Sequence, residues 1–199
     1  SQNNDGNYFS NKAPGPLFLG APIYFALDKL FKKNNNGQPT RGARVVFCLF
    51  TQVLPMAFIV FLFTILLMRA NSPPVAIHFM ILSILFGNTA SLFTNVYFGH
   101  AMAATLVLAT VYVLIHRRIY WSGLFFGVAL LTEYPCAFIL IPILIYFHKI
   151  NISKKEALYF IAGGIIPGVL WAFYHYYAFG GIFQLPQSFN NPQWATAPS

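Results

Sequence analysis

The segment LTEYP, residues 131–135, stands in the middle of the apolar block WSGLFFGVALLTEYPCAFILIPILIYF, residues 121–147. One helix from Tyr120 to His148 would be about 43 Å long, which exceeds the roughly 30 Å hydrocarbon core of a bilayer. It would also place Glu133 near the bilayer centre, at a cost of about 2.5 to 3.5 kcal/mol, and Pro135 would break its hydrogen-bond ladder. A bend at LTEYP gives two arms of about 18 and 21 Å and moves Glu133 to a helix end. The segment therefore favours a helical hairpin at residues 120–148.

The composition excludes an ordinary soluble domain. Hydrophobic residues make up 57% of the chain, aromatic residues 18% and charged residues only 8%, whereas about 25% charged residues is usual in soluble domains. Several apolar blocks approach the roughly 20 residues that cross a bilayer. We expect an all-α, polytopic transmembrane helical bundle with an N-terminal extracytoplasmic loop segment, built from the blocks at residues 45–68, 75–93, 100–115, 121–147 and 157–179.

The chain is basic, with 12 Lys and Arg against 4 Asp and Glu and a net charge of +8. In a soluble protein this excess would suggest a nucleic-acid partner. Here the basic residues flank the apolar blocks, where such side chains extend to the interface and set orientation, so we expect a bilayer and no nucleic acid. Cys48 and Cys136 lie within apolar blocks, so packed thiols are expected rather than a disulfide or a metal pair. The flanking cations are Arg41, Arg44, Arg69, Arg117, Arg118, Lys149, Lys154 and Lys155.

Two membrane topologies fit these blocks. If every block crosses once, the N-terminal segment lies inside and Arg117 and Arg118 lie outside. If residues 120–148 are a hairpin, the N-terminal segment lies outside, and the cations from Arg69 to Lys155 are cytoplasmic. We favour the second, because the hairpin avoids an overlong helix with Glu133 at the bilayer centre. Its basic N-terminal segment can lie outside, since a long translocated loop largely escapes the positive-inside rule. Residues 1–44 are then an extracytoplasmic loop with an interfacial amphipathic helix, residues 45–179 hold about four spans plus the hairpin, and residues 180–199 are an extracytoplasmic loop.

The order of several short motifs resembles one enzyme family. DGNYFSNKAPGPLFLGAPIY is followed by the basic RGAR, then by YFGHAMAA, GLFFGVALLTEYP and FGGIFQLPQSF. This series is similar to the GT-C membrane glycosyltransferases, in particular to bacterial relatives of the protein mannosyltransferases and of the aminoarabinose transferase of lipid A. The resemblance implies a polyprenyl-phosphate sugar lipid as donor and a place in the bacterial cytoplasmic (inner) membrane. It also implies a catalytic acid in the first extracytoplasmic loop, and that the chain is a fragment of a longer protein.

The resemblance assigns roles to two residues near the N-terminus. A lysine before a proline in the first loop lies near the lipid phosphate in such enzymes, and KAPG puts Lys12 at that place, with Ala13 where relatives often have proline. The alternative is a lysine that extends to the interface beside a Pro-rich turn. Asp5 is the acid that precedes Lys12, so it is a candidate catalytic base, and the alternative is a turn residue in an Asp-Gly dipeptide. The family's essential acid usually lies nearer the preceding helix, which would stand before Ser1.

Further candidates lie in the apolar half of the chain. Glu133 is a second candidate catalytic residue, because an ionisable group at membrane depth is functional by default. It could orient a donor sugar hydroxyl, bind a divalent metal, or pair with an arginine of a neighbouring helix. His100 and Tyr97, at the start of the third block, are expected at the same face as substrate-binding residues, and the alternative for His100 is a hydrogen-bonded anchor.

Together these features predict a membrane-embedded glycosyltransferase that moves a sugar from a polyprenyl-phosphate carrier to an extracytoplasmic acceptor. A membrane transporter or lipid flippase is the alternative, since broken helices with intramembrane acids also mark transport sites. A non-catalytic membrane scaffold is the third possibility. A transporter would hold its ionisable residues near the midplane, whereas Lys12, His100 and Glu133 are expected to lie at one surface.

Overall fold

The computed structural model describes residues 12–31, 37–86 and 99–183. These residues form helices and connecting turns, with no β-strand among them, which confirms the all-α prediction. The α-helices are α1 (Gly15–Leu30), α2 (Arg41–Cys48), α3 (Leu54–Arg69), α4 (Pro74–Phe86), α5 (His100–Ile115), α6 (Ile119–Thr132), α7 (Leu140–Lys149) and α8 (Lys154–Phe179). A π-helical turn (Leu49–Val53) joins α2 to α3, and a 3₁₀ helix (Tyr134–Ile139) joins α6 to α7.

Within the described ranges, two helices are long and apolar enough to cross a membrane. They are Arg41–Arg69, which runs through α2, the π turn and α3 for 29 residues, and Lys154–Phe179, which is α8 with 26 residues. The other apolar blocks form helices of 13 to 16 residues in α4, α5 and α6, shorter than the roughly 20 residues of a full span. Of the four expected spans, those at residues 75–93 and 100–115 are therefore not met by helices of full length among the described residues, so a polytopic bundle is not confirmed; block 75–93 continues into residues outside the description.

A proline accounts for the irregular turn in the first long helix. Pro55 has no backbone N–H, so the carbonyl four residues before it loses its usual partner, and the helix widens into the π turn just ahead of it. The Pro55 carbonyl accepts a hydrogen bond from the Thr105 hydroxyl of α5 at 2.9 Å. The irregular segment is thus tied to a neighbouring helix.

The apolar block at residues 121–147 turns back on itself. α6 ends at Thr132, and Glu133 is extended, with φ −149° and ψ 117°. Ile119 at the start of the block and Phe147 at its end lie in one buried cluster with Phe160 of α8. A single continuous helix would hold its two ends about 43 Å apart, so the chain follows the two-armed alternative in this region.

Glycines bring α6 and α8 into close contact. A Cβ atom on Gly123 would lie 1.9 Å from the Phe160 carbonyl oxygen, and one on Gly163 would lie 2.1 Å from the Tyr120 carbonyl oxygen. Real Cβ atoms cannot approach so closely, so only glycine permits this separation of the two backbones. The crossing fixes which residues of α6 and α8 meet at either end of the pair.

Candidate functional site

Four elements meet at the end of the helices where α6 stops, which we call the Glu133 end. A Cβ on Gly99, the residue before α5, would lie 2.8 Å from Pro16 Cγ of α1 and 3.0 Å from Glu133 Oε1. The Phe18 ring of α1 packs edge-on against Tyr174 of α8, with centroids 6.1 Å apart. The starts of α1 and α5 therefore lie against the ends of α6 and α8.

The side chains of Glu133 and His100 contact each other at this end. Nδ1 of His100 lies 3.1 Å from Oε1 of Glu133, and the side chains are 48% and 26% exposed respectively. Glu133 follows the C-terminus of α6, where the helix dipole disfavours a carboxylate, but it stands beside the N-terminus of α5, where the dipole favours one. The carboxylate is therefore held at a defined position while part of it stays open to a ligand. An arginine of a neighbouring helix was one of the partners expected for Glu133, whereas the structure places His100 beside it.

Lys12 is exposed at the start of a segment that is otherwise buried on α6. Ala13 is 9% exposed, and Pro14 is almost fully buried. A Cβ on Gly15 would lie 2.5 Å from Thr132 Cα, so the glycine lets the chain lie directly on the residue before Glu133. This packing fixes the backbone from which the Lys12 ammonium extends.

A second polar contact lies beside the contact of Glu133 with His100 and was missed by sequence reasoning. The Tyr134 hydroxyl and Nε2 of His175 are 3.0 Å apart, and His175 is 3% exposed. The Trp171 ring, one turn earlier on α8, lies 4.5 Å from the His175 ring between centroids. The spacing of Trp171, Tyr174 and His175 along one helix face was the available signal, but it does not reveal the partner 41 positions away.

The remaining sequence candidates divide into two groups. Asp5 and Tyr97 lie outside the described residues, so their positions stay predictions. Cys48 and Cys136 are free thiols, each partly buried. No group of three or more His, Cys, Asp or Glu side chains suited to a metal ion occurs within residues 12–31, 37–86 and 99–183. The described residues therefore do not form a metal site by themselves.

The opposite end, which we call the basic end, carries a different set of contacts. Nδ1 of His116 lies 2.7 Å from the Tyr112 carbonyl oxygen, which it meets as a donor, so Nε2 is left to accept a hydrogen bond from Arg69. Nη1 of Arg117 lies 3.8 Å from Oε1 of Glu156. The exposed cations of this end are Arg69, Arg117, Arg118, Lys149, Lys154 and Lys155.

A cavity of about 740 Å³ runs between α6, α7 and α8 and links the two ends. It extends from Tyr134 and Trp171 at the Glu133 end to Phe147 and Ala157 near the basic end. Its walls are almost wholly apolar. The α8 wall consists of Ala157, Phe160, Ile161, Gly164, Ile165, Pro167, Gly168 and Trp171.

Comparison with known proteins yields no relative: no protein-family model, no curated protein and no solved structure matches this chain.

Proposed function

We propose that this chain is part of a polytopic inner-membrane glycosyltransferase of the GT-C type, which transfers a sugar from a polyprenyl-phosphate carrier to an extracytoplasmic acceptor. The observation that carries the proposal is the Glu133 end. There, a partly exposed carboxylate paired with a histidine lies beside the packed segment that bears an exposed lysine. In this proposal the carboxylate accepts the proton of the acceptor, and the cation offsets charge on the departing phosphate.

The proposed orientation puts the basic end in the cytoplasm and the Glu133 end outside. Its support is the concentration of Arg and Lys at the basic end, which the positive-inside rule assigns to the cytoplasm. Helices Arg41–Arg69 and Lys154–Phe179 cross the bilayer in this arrangement, and the shorter helices complete the bundle by packing against them. Large apolar side chains on the outside, such as Phe79 at 72% exposed and Phe86 at 80%, then face lipid or neighbouring helices.

Glu133 acts in this proposal as the base for the acceptor. The acceptor hydroxyl oxygen attacks the anomeric carbon of the sugar and forms the new glycosidic bond. The bond from that carbon to the phosphate oxygen breaks, and its electron pair leaves with the carrier phosphate. The hydroxyl proton passes to the Glu133 carboxylate, which a ligand can reach through its exposed part. His100 holds the carboxylate in place through the contact at 3.1 Å.

Lys12 contacts the carrier phosphate. Its ammonium offsets the charge that develops on the phosphate oxygen as the glycosyl bond breaks. Asp5 and Tyr97 would complete the site as a second acid and a sugar contact. A divalent metal, if the enzyme uses one, would need a ligand such as Asp5 in addition to Glu133 and His100, because the described residues hold no group of three His, Cys, Asp or Glu side chains suited to a metal ion.

The test is sugar transfer by the purified full-length protein, with a matched pair of glutamate variants. We expect Glu133→Gln to lower kcat by about 100-fold or more, because loss of a general base typically costs 10²- to 10⁴-fold. Glu156→Gln, at the basic end, removes the same charge far from the site and should retain wild-type kcat. Near-normal transfer by Glu133→Gln would overturn the assigned role, and transport of a lipid without transfer would favour the flippase alternative.

A further inference from the structure

The chemistry proposed for the Glu133 end leaves the cavity between α6, α7 and α8 without a role. Its volume of about 740 Å³ falls within the range of roughly 300 to 1,000 Å³ usual for ligand sites. From Ala157 to Trp171 the α8 wall rises by about 21 Å, close to the length of an extended acyl chain of a common phospholipid. The cavity is therefore long, apolar and of a size that suits one hydrocarbon chain.

Two glycines of α8, Gly164 and Gly168, line the cavity and leave space in it. A Cβ on Gly168 would meet no atom within 4 Å, and one on Gly164 would meet only the Gly123 carbonyl oxygen, at an ordinary 3.8 Å. Gly163, by contrast, is required by the contact with α6. A glycine inside a helix lowers helix stability relative to alanine. At Gly168 the helix has this lower stability with no close contact to another helix that requires a glycine, and the space that the residue leaves lines the cavity.

Charge distinguishes the two ends of the cavity. Near its Phe147 and Ala157 end, Lys149 and Lys154 are exposed two and three residues away along the chain, and Arg117 stands close by in its pair with Glu156. Cations in this zone attract anionic headgroups at the membrane surface. At the other end, the cavity stops at Tyr134 and Trp171, and no lysine or arginine lies within three residues of either along the chain.

We propose that the cavity binds an anionic phospholipid of the cytoplasmic leaflet. One acyl chain lies between α6, α7 and α8, and the headgroup phosphate lies among Lys149 and Lys154. The proposal rests on the membrane orientation given under the proposed function, but not on transferase activity. The bound chain fills the space at Gly164 and Gly168 and so completes the packing of α7 against α8.

Native mass spectrometry of the detergent-purified full-length protein tests this, with phosphatidylglycerol and phosphatidylcholine of identical acyl chains as probes. Gly168→Phe fills the cavity from a position with no neighbour within 4 Å, and Val169→Phe adds an aromatic ring at the next residue, which is 61% exposed and outside the cavity. We expect Gly168→Phe to weaken binding of both lipids by about 10-fold or more, and Val169→Phe to leave it unchanged.

A pair of double variants tests the headgroup. Replacing Lys149 and Lys154 by glutamine should weaken phosphatidylglycerol binding by roughly 5-fold for each lysine, and should weaken phosphatidylcholine binding much less. Lys29→Gln with Arg41→Gln removes the same charge away from the cavity and should have no effect.

Three results would overturn the proposal. The first is equal lipid binding by Gly168→Phe and Val169→Phe. The second is unchanged phosphatidylglycerol binding when Lys149 and Lys154 are replaced. The third is displacement of phosphatidylglycerol by a C20 polyprenyl phosphate whose affinity is the same with and without the two lysines. The last result would make the cavity the carrier's own site. Because the experiment measures lipid binding and not sugar transfer, a failure of the lipid-site proposal can be told apart from a failure of the proposed enzyme activity.

Discussion

The two ends of α6 are built from different chemistry, although the helix has only 14 residues. At the Glu133 end, an acid, a histidine and a tyrosine lie among packed aromatic rings, with partial exposure to a ligand. At the basic end, exposed Arg and Lys side chains surround a capped helix start. The core of α6 thus holds the two ends apart, and the charged groups at the ends are those on which the proposed orientation and the proposed chemistry rest.

The largest expected effect comes from breaking the crossing that holds both ends. Gly163→Ala puts a Cβ 2.1 Å from the Tyr120 carbonyl oxygen, so α6 and α8 must separate. We expect the free energy of unfolding to fall by more than about 3 kcal/mol, and the contacts at both ends to be lost together. Gly168→Ala is the matched control, since its Cβ meets no atom, and the helix should gain up to about 1 kcal/mol. Thermal unfolding in detergent measures both, and equal melting temperatures for the two variants would contradict the tight crossing.

A smaller effect, confined to the Glu133 end, is expected from Lys12. A charge-assisted contact with phosphate is worth about 1.5 to 3 kcal/mol, so Lys12→Ala should weaken carrier binding or transfer by about 10- to 150-fold. The fold should be unchanged, because the side chain is exposed, and Lys12→Arg should retain part of the activity. Lys29→Ala is the control at another exposed lysine. Wild-type transfer by Lys12→Ala across a carrier titration would leave this lysine as a surface residue.

The smallest effect is expected at the basic end. The Ser153 hydroxyl caps α8 by accepting a hydrogen bond from the Glu156 backbone N–H at 3.2 Å. Ser153→Ala should lower stability by about 1 kcal/mol and leave transfer unchanged, because this cap lies far from the Glu133 end. The melting temperature and kcat are measured on the same preparation. A fall in kcat without a fall in melting temperature would show that the two ends are coupled.

The sequence predicts some of these features well and others not at all. The helical class follows from composition, and the end of α6 follows from Pro135, since proline disrupts a helix locally. His100 and Glu133 were expected at one face because His100 stands at the start of an apolar block and Glu133 at the apex of the predicted hairpin. The contact between Tyr134 and His175 could not be foreseen, because it depends on the crossing of α6 and α8, which is set by the close approach at Gly123 and Gly163.

The central claim is that residues 120–148 form a hairpin whose ends both lie on the cytoplasmic side, with the Glu133 end outside. Single cysteines at Arg118, Asn151 and Lys12, in a background with Cys48 and Cys136 replaced by serine, allow a direct test. Labelling with a membrane-impermeant maleimide from each side of oriented vesicles locates each position. The account predicts that Arg118→Cys and Asn151→Cys react from the cytoplasmic side and Lys12→Cys from the other. Reaction of Arg118→Cys and Asn151→Cys from opposite sides would contradict it.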